Sequence, residues 1–96
     1  MKILHLTLHK KWFDMILSGE KREEYREIKP YWIKRLQQDF DAIQFRNGYN
    51  KNSRKFLVYL TKISTGKANI KWIGDDYKDS RVFILHLGEK VPENGK

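Results

Sequence analysis

The fold is decided near the start of the chain, where residues 3–27 read ILHLTLHKKWFDMILSGEKREEYRE. Residues 3–8 alternate leucine with polar side chains, the period-two pattern that predicts a half-buried strand. Residues 10–18 change to helical spacing, and Gly19 follows as a residue typical of the position just past a helix end. Residues 21–27 carry one apolar side chain among charged ones and predict an extended segment.

The remainder of the chain predicts a second helix and then mainly strands. Pro30 fits the first turn of a helix whose buried stripe would comprise Trp32, Leu36 and Phe40. Strands are predicted at residues 42–46, 56–63, 70–73 and 81–87, and turns at residues 47–48, 64–69 and 74–76. We therefore expect one α+β domain over residues 1–88, a small β-barrel of five or six short strands flanked by two short N-terminal helices, with a flexible C-terminal tail at residues 89–96.

Composition limits the classes of protein to consider. The chain has 96 residues, is 40% hydrophobic and 14% aromatic, and so predicts one ordered domain. It has no cysteine and three scattered histidines, which predicts no disulfide, no metal site and no cofactor. The short apolar runs exclude a membrane-spanning helix, and no small-residue cleavage site follows the first residues. We expect a cytoplasmic protein without a signal peptide; the oligomeric state stays open.

The positive charge is concentrated in one stretch of the sequence. Twenty lysines and arginines against 12 acidic residues give a net charge of +8. Residues 46–72, the basic stretch, contain no acidic residue and seven cations: Arg46, Lys51, Arg54, Lys55, Lys62, Lys67 and Lys71. Four aromatic residues lie among them: Tyr49, Phe56, Tyr59 and Trp72. Clustered cations attract polyanions and exposed aromatic rings stack on bases, so the stretch predicts contacts to a nucleic-acid backbone. The alternative is that the lysines only keep a small domain soluble.

Residues 21–27 do not fit a purely structural account, because a strand inside a small domain normally has an apolar face. Glu24 and Arg26 share one face of the predicted strand and are spaced for a charge-assisted pair. Lys21 follows Gly19 closely enough to reach the same place. An ammonium, a carboxylate and a guanidinium together offer the donors and acceptors that recognise a base edge and a phosphate. A solvated edge strand with weak surface ion pairs is the alternative.

These residues carry a family resemblance. After a helix with an aromatic residue and an isoleucine, Gly19, Lys21, Glu24 and Arg26 match the pattern G-x-K-x-x-E-x-R, which resembles the ASCH domain (activating signal cointegrator homology) of the PUA-like superfamily. The resemblance covers about the first third of the chain. It implies a PUA-like barrel with a cleft beside the first helix that binds RNA or a nucleotide-like ligand. Lys21, Glu24 and Arg26 would line this cleft, and Gly19 would be a structural turn.

Further ligand contacts follow from the same resemblance. Many relatives place a lysine just after the first strand, where this chain has His9, and Lys10 and Lys11 follow as substitutes. His9 and Lys10 are therefore predicted contacts. Tyr25 either presents its ring to the cleft or belongs to the barrel wall.

A second hypothesis is enzymatic. Some ASCH-like proteins are amidohydrolases acting on N4-acylated cytidines, using the motif lysine, a nearby threonine and a glutamate from a later strand. Lys21 matches the lysine, but Glu24 stands at the threonine position. Residues 28–88 contain no glutamate, and the carboxylates between residues 42 and 88 are Asp75, Asp76 and Asp79. Lys21, with Glu24 as base, would supply proton transfer if burial lowers the pKa of the lysine. The missing hydroxyl and second acid favour binding without catalysis.

The remaining features give weaker indications. A protein-interaction domain without a nucleic-acid role is the third hypothesis. No nucleophile pattern accompanies His5 or His86, so no catalytic triad is predicted. The aspartates after Gly74 indicate a turn rather than a magnesium site. Trp12, Phe13 and Trp32 are expected to be core anchors.

Overall fold

The structure is a computed structural model that describes residues 1–73 and 80–92. Its helices are α1 (Lys10–Ser18) and α2 (Pro30–Arg35), and a short 3-10 helix spans Ile70–Trp72. Its strands are β1 (Ile3–Thr7), β2 (Glu23–Glu27), β3 (Ala42–Arg46), β4 (Lys55–Lys67) and β5 (Arg81–Lys90). The predicted α+β class is confirmed, as is the order strand, helix, strand over residues 3–27.

The five strands form one mixed sheet that curls into a half-barrel. Its order is β1-β3-β4-β5-β2, with β1 parallel to β3 and the other pairs antiparallel. Strands β1 and β2 are therefore the two edges of the sheet, and α1 is the segment of chain that connects them. Register shifts between Val58 and Lys62 mark irregular pairing in β4, the kind of feature that bends a strand.

The main core lies between α1 and one face of the sheet. Leu4 and Leu6 of β1 are buried while His5 between them is exposed, which is the predicted alternation. Phe13 and Ile16 of α1 pack onto these leucines. Burying each such side chain contributes about 1.5–3 kcal/mol, so this face of α1 fixes the helix on the sheet.

Strand β4 is longer than expected, and its second half corrects two predictions. The predicted turn at residues 64–69 is wrong, because Ser64–Lys67 pair with β5. The opposite strand supplies backbone partners that override the local turn preference of these residues. The predicted strand at residues 70–73 is also wrong. A 3-10 helix forms there because the Asn69 side chain accepts a hydrogen bond from the Lys71 N–H at 3.0 Å and caps its start.

The second helix is shorter than its apolar stripe suggested. It ends at Arg35, so Leu36 and Phe40 pack against the core from outside the helix. The chain must leave the helix to bring Asp41 beside Lys2, where the Lys2 N–H donates to Asp41 Oδ2 at 2.7 Å. The backbone N–H of Asp41 donates in return to the Lys2 carbonyl at 2.8 Å, and β3 begins directly afterwards beside β1.

The boundary of the C-terminal tail is corrected as well. Glu89 and Lys90 belong to β5, where Lys90 pairs with Val58 in the first half of β4. The Val91 N–H donates to the Leu57 carbonyl at 2.9 Å. Residues 93–96 lie outside the described part of the chain, as does the predicted turn at residues 74–76. Within the described ranges, neither helix has the length and apolar character that crossing a membrane requires.

Candidate functional site

One glycine directs Lys21 into the protein. Helix α1 ends at Gly19, which has φ +89°, and its N–H donates to the Ile16 carbonyl at 3.0 Å. This left-handed conformation favours glycine, because a Cβ atom there strains the backbone. The chain reverses at once, and the Lys21 N–H donates to the Met15 carbonyl at 3.0 Å. Lys21 is thereby held beneath the helix that precedes it.

Lys21, Glu24 and Arg26 form a continuous ion network, which we call the buried trio. Lys21 is 2% exposed and Glu24 is 4% exposed, while the side chain of Arg26 is partly buried and 20% exposed. The Lys21 ammonium donates to Glu24 Oε1, and Arg26 Nη1 lies 2.7 Å from Glu24 Oε2. Each oxygen of the carboxylate therefore faces one cation. The charge-assisted pair predicted for Glu24 and Arg26 is present.

The trio is costly to bury. Removing charges from water costs several kcal/mol per ion, and an apolar core of equal volume is often as stable or more stable. Burial lowers the pKa of Lys21 below its usual value, while the charge and hydrogen bond of Glu24 act in the opposite direction. Ionisable groups in such surroundings cluster at functional sites, so the trio is the leading candidate for one.

The trio lies in a cleft of about 330 Å³ at the open side of the half-barrel, which we call the edge cleft. Strand β1 and the start of α1 contribute four residues: Thr7, Leu8, His9 and Trp12. The segment at and before β2 contributes another four: Lys21, Glu24, Tyr25 and Arg26. Trp72 and Ile73 complete the lining. Its volume lies at the low end of the ~300–1,000 Å³ typical of small-molecule sites.

Aromatic rings accompany each cation of the trio. The Lys21 ammonium is 5.5 Å from the centre of the Trp12 ring and 5.3 Å from that of Tyr25. The Arg26 guanidinium is 5.3 Å from the Trp32 ring. At these distances the negative faces of the rings offset part of the cost of burying the cations.

The sequence left two positions open for Tyr25, and it occupies both. It is buried in the wall of the half-barrel and it also lines the edge cleft. Its hydroxyl donates to Glu23 Oε1 at 2.6 Å and accepts from the Asn69 N–H at 3.0 Å. Burial raises the pKa of Tyr25 well above its usual value, and the hydrogen bond to Glu23 adds to this effect. The tyrosine thus joins β2 to the segment that carries Trp72.

The residues at the start of α1 are divided between two places. His9, which stands where the resemblance implies a lysine, lines the edge cleft. Lys10 instead lines a neighbouring hollow, and its ammonium is 2.7 Å from Asp14. The Lys11 ammonium lies 4.6 Å from the Trp12 ring centre.

The cations of the basic stretch are not gathered in one place. Lys55 and Lys67 begin and end β4, whose 13 residues span roughly 40 Å at ~3.3 Å per residue. Lys62 lies between them and is exposed. Arg46 braces a turn by donating to the carbonyls of Gly48 and Asn50. Arg46 and Lys55 are partners across β3 and β4 at one end of β4, with Lys51 and Arg54 in the loop between them, whereas Lys67 lies at the other end.

Two more cations of the stretch have defined surroundings. The Arg54 guanidinium lies 2.7 Å from Asp14 and 4.8 Å from the Phe13 ring. Lys71 is exposed on the 3-10 helix, directly before Trp72 of the edge cleft. Lys71 is thus next in sequence to the site, whereas Arg54 is engaged with α1.

Sequence reasoning did not assign five of the lining residues to the cleft: Thr7, Leu8, Trp12, Trp72 and Ile73. Trp12 was expected to anchor the core; it is half-buried, packs against the core and also lines the cleft. Thr7 also places a hydroxyl in the cleft, and the alternating pattern of β1 in the sequence was enough to predict this. It alternates with the buried Leu6 and Leu8 at the end of β1, so its side chain points away from the core.

A polar network joins β4, β5 and β2 beside the trio. Ser64 Oγ is 2.8 Å from His86 Nε2, and His86 Nδ1 is 3.8 Å from Glu23 Oε2. The sequence did not predict a serine next to His86. The separation of His86 and Glu23 exceeds hydrogen-bond length, and the network continues through Glu23 to the Tyr25 hydroxyl. Its observed contacts link the three strands.

Within residues 1–73 and 80–92, no group of His, Asp or Glu side chains is arranged to hold a metal ion. The later carboxylates Asp75, Asp76 and Asp79 lie outside these ranges. Comparison with protein-family models, curated proteins and solved structures found no match to this chain. The function is therefore argued from the chemistry of the edge cleft.

Proposed function

We propose that the protein is an ASCH-like module that binds RNA or a nucleotide-like ligand in the edge cleft. The observation that carries the proposal is the buried trio at that cleft. A folding domain gains little from burying two cations and a carboxylate together, whereas a binding site gains fixed donors.

Glu24 orients the two cations toward the ligand. Its oxygens face Lys21 and Arg26, so the cations are held in place. In the described part of the chain, the buried Arg26 Nε has no hydrogen-bond acceptor. A buried donor left unpaired costs about 1–3 kcal/mol. A base carbonyl or phosphate oxygen that reaches Nε in the cleft would relieve this cost.

Trp12 and Trp72 supply the second element of recognition. Both indoles are half-buried in the cleft lining. An aromatic face in contact with a base is worth about 1–3 kcal/mol, and this stacking energy applies to any base. Stacking against a tryptophan, together with contacts to Arg26, suits a planar, oxygen-bearing heterocycle.

The charge of the chain favours an anionic partner. The net charge is +8, and the exposed Lys71 directly precedes Trp72. Phosphates of a nucleotide leaving the cleft would meet this lysine. Binding that releases counterions weakens as salt concentration rises, which gives the proposal a characteristic signature.

The test is a titration followed by intrinsic tryptophan fluorescence. Wild-type protein is titrated at low salt with AMP, CMP, GMP and UMP and with a mixed-sequence single-stranded RNA. We expect quenching, and an affinity that falls as salt is added. Arg26→Ala should weaken binding about tenfold or more, because a charged hydrogen bond to the ligand is worth ~1.5–3 kcal/mol.

Arg81→Ala is the matched control, since Arg81 is an exposed strand arginine on β5. It should bind like the wild type. Absence of binding to every nucleotide and to RNA at low salt would rule out the proposal. Equal losses in the two arginine variants would show that general charge, rather than the edge cleft, is responsible.

A second candidate is hydrolysis of N4-acylated cytidines, favoured by the lowered pKa of Lys21 and by the Thr7 hydroxyl in the same cleft. In this reaction water adds to the acyl carbon, the bond to N4 breaks and the amine nitrogen receives a proton. A lysine with a lowered pKa gives up its proton more readily than an ordinary lysine, which suits it to protonate the leaving amine. Glu24 beside it would accept the proton of the attacking water.

Incubation with N4-acetylcytidine and chromatography of the products tests this candidate. We expect cytidine and acetate from the wild type and none from Lys21→Met, with circular dichroism confirming that the variant is folded. Product formation that persists in Lys21→Met would exclude a catalytic role for the lysine. Nucleotide binding without any product would leave the binding function alone.

A further inference from the structure

A second hollow adjoins the edge cleft. It has a volume of about 260 Å³ and shares the wall Thr7, Leu8 and His9 with the cleft. Its far side is formed by the turn that follows β3, which ends in Tyr49. Two contiguous hollows with a common wall suit a ligand that is longer than one nucleotide.

Tyr49 displays an aromatic ring to water. It is 88% exposed, the highest value among the large exposed hydrophobic side chains in the described ranges. An exposed aromatic ring flanked by polar surface and placed beside a hollow is a common feature of ligand contacts. The ring is available for stacking without any rearrangement of the core.

The turn that carries Tyr49 is firmly braced. The Asn47 side chain donates to the Leu8 carbonyl at 3.0 Å, and the Leu8 N–H donates to the Arg46 carbonyl at 2.8 Å. Arg46 donates from Nε to the Gly48 carbonyl at 2.8 Å, and Gly48 holds φ +102°. These bonds fix the backbone of the turn to the end of β1, so the backbone of Tyr49 has a set position relative to the edge cleft. A backbone that is already ordered loses little conformational entropy when a base stacks on the ring that it carries.

The charge around the second hollow favours a phosphate. Lys51 is exposed two residues after Tyr49. Asp14 is the acidic group at this end of α1, and it is paired with both Lys10 and Arg54, each at 2.7 Å. The carboxylate is thus compensated by two cations, and Lys51 adds further positive charge. A phosphodiester between two bases would meet a net positive surface.

We propose that the second hollow binds the neighbouring nucleotide of a single-stranded RNA, with its base stacked on Tyr49 while the first base occupies the edge cleft. This inference rests on the proposed function and specifies its ligand as a strand of at least two nucleotides. Because stacking accepts any base, the second subsite adds affinity with little base preference.

The test compares each of AMP, CMP, GMP and UMP with the 5′-phosphorylated dinucleotide of the same base, using the full chain at low salt. We expect the best dinucleotide to bind roughly 5- to 150-fold more tightly than its mononucleotide, the factor that corresponds to ~1–3 kcal/mol of stacking. Tyr49→Ala should remove this gain and leave mononucleotide affinity unchanged. Tyr49→Phe should keep the gain, because it preserves the ring.

Tyr59→Ala is the matched control, because Tyr59 is a 42% exposed tyrosine on β4, away from both hollows. It should bind both ligands like the wild type. Mononucleotide binding with no gain for the dinucleotide, or a gain that survives Tyr49→Ala, would overturn the second subsite alone. Absence of binding to both ligands would instead overturn the proposed function, and the second subsite with it.

Discussion

Residues 21–26 and the basic stretch are two charged regions of the chain, and folding gathers the first while it spreads the second. The buried trio converges because a helix end, a glycine turn and a strand start follow one another within a few residues. The cations of the basic stretch separate because many lie on or beside a 13-residue strand, which adds ~3.3 Å per residue. Charge density along a sequence is therefore a poor guide to charge density in space unless the secondary structure is known.

The largest effect we expect comes from removing the carboxylate of the trio. Glu24→Ala leaves the buried Lys21 and the partly buried Arg26 without a counter-charge, which should cost about 3–5 kcal/mol in the free energy of unfolding, mainly through Lys21. Urea denaturation followed by tryptophan fluorescence measures the loss.

Asp14→Ala is the control that sharpens the comparison. Asp14 also lies between two cations, Lys10 and Arg54, but at the surface. Its removal should cost far less, because water solvates the cations that remain. If Glu24→Ala and Asp14→Ala lower the free energy of unfolding by similar amounts, burial does not make the trio more important for stability than the surface ion pairs of Asp14.

A second prediction concerns alkaline pH. Tyr25 has a raised pKa in the folded protein, so above about pH 10 the unfolded chain loses the tyrosine proton while the folded protein keeps it. The folded state then binds more protons than the unfolded state, and stability falls by up to ~1.4 kcal/mol per pH unit. Denaturation of the wild type and Tyr25→Phe should therefore show a stability difference that shrinks as the pH rises from about 9 to about 11. A difference that stays constant with pH would contradict the buried position of the hydroxyl.

The glycine turns of the two regions give the third prediction. Gly19 and Gly48 both have positive φ, and alanine at either position should cost about 1–2 kcal/mol in stability. Only Gly19→Ala should also weaken nucleotide binding in the edge cleft, because Lys21 follows that turn. Fluorescence titration with the mononucleotides checks this difference. Equal binding by the two variants would show that the trio does not depend on its turn.

The smallest effect is expected from single lysines of the basic stretch. Lys55→Ala should leave mononucleotide affinity unchanged, since Lys55 begins β4 away from the edge cleft. Lys71→Ala should reduce the slope of RNA affinity against salt by about one, because one phosphate contact is lost. Titrations at several salt concentrations give both slopes. A larger loss of RNA affinity for Lys55→Ala than for Lys71→Ala would contradict the proposed contact between Lys71 and a phosphate.

The local pattern of the sequence was sufficient to predict much of the fold. The alternation in β1, the helical period before Gly19 and the strand after it all emerged as predicted, because each is set by neighbours in sequence. The second half of β4 was missed, since Ser64–Lys67 adopt strand structure only because β5 lies opposite. The length of β5 was underestimated for the same reason.

The candidate site was predictable in part. The pairing of Glu24 with Arg26 could be predicted from strand geometry, because the two residues share one face of the strand. The position of Lys21 beside them could be predicted from its closeness to the glycine turn. Trp12 was assigned to the core because helical spacing does not reveal which apolar residue faces a gap in the sheet. The positions of the cations of the basic stretch in space could not be predicted from the sequence. They depend on the full length of β4, which is determined by its pairing with β5.

The pairing of β2 with β5 also bears on the order in which the protein matures during synthesis. Residues 23–27 are synthesised well before residues 82–86, which are their hydrogen-bonding neighbours in the sheet. The cations of β2 and of its preceding turn therefore cannot reach their places in the sheet until residues 82–86 have been synthesised, and such distant pairings form slowly. The proposed binding site is complete only after this pairing has formed.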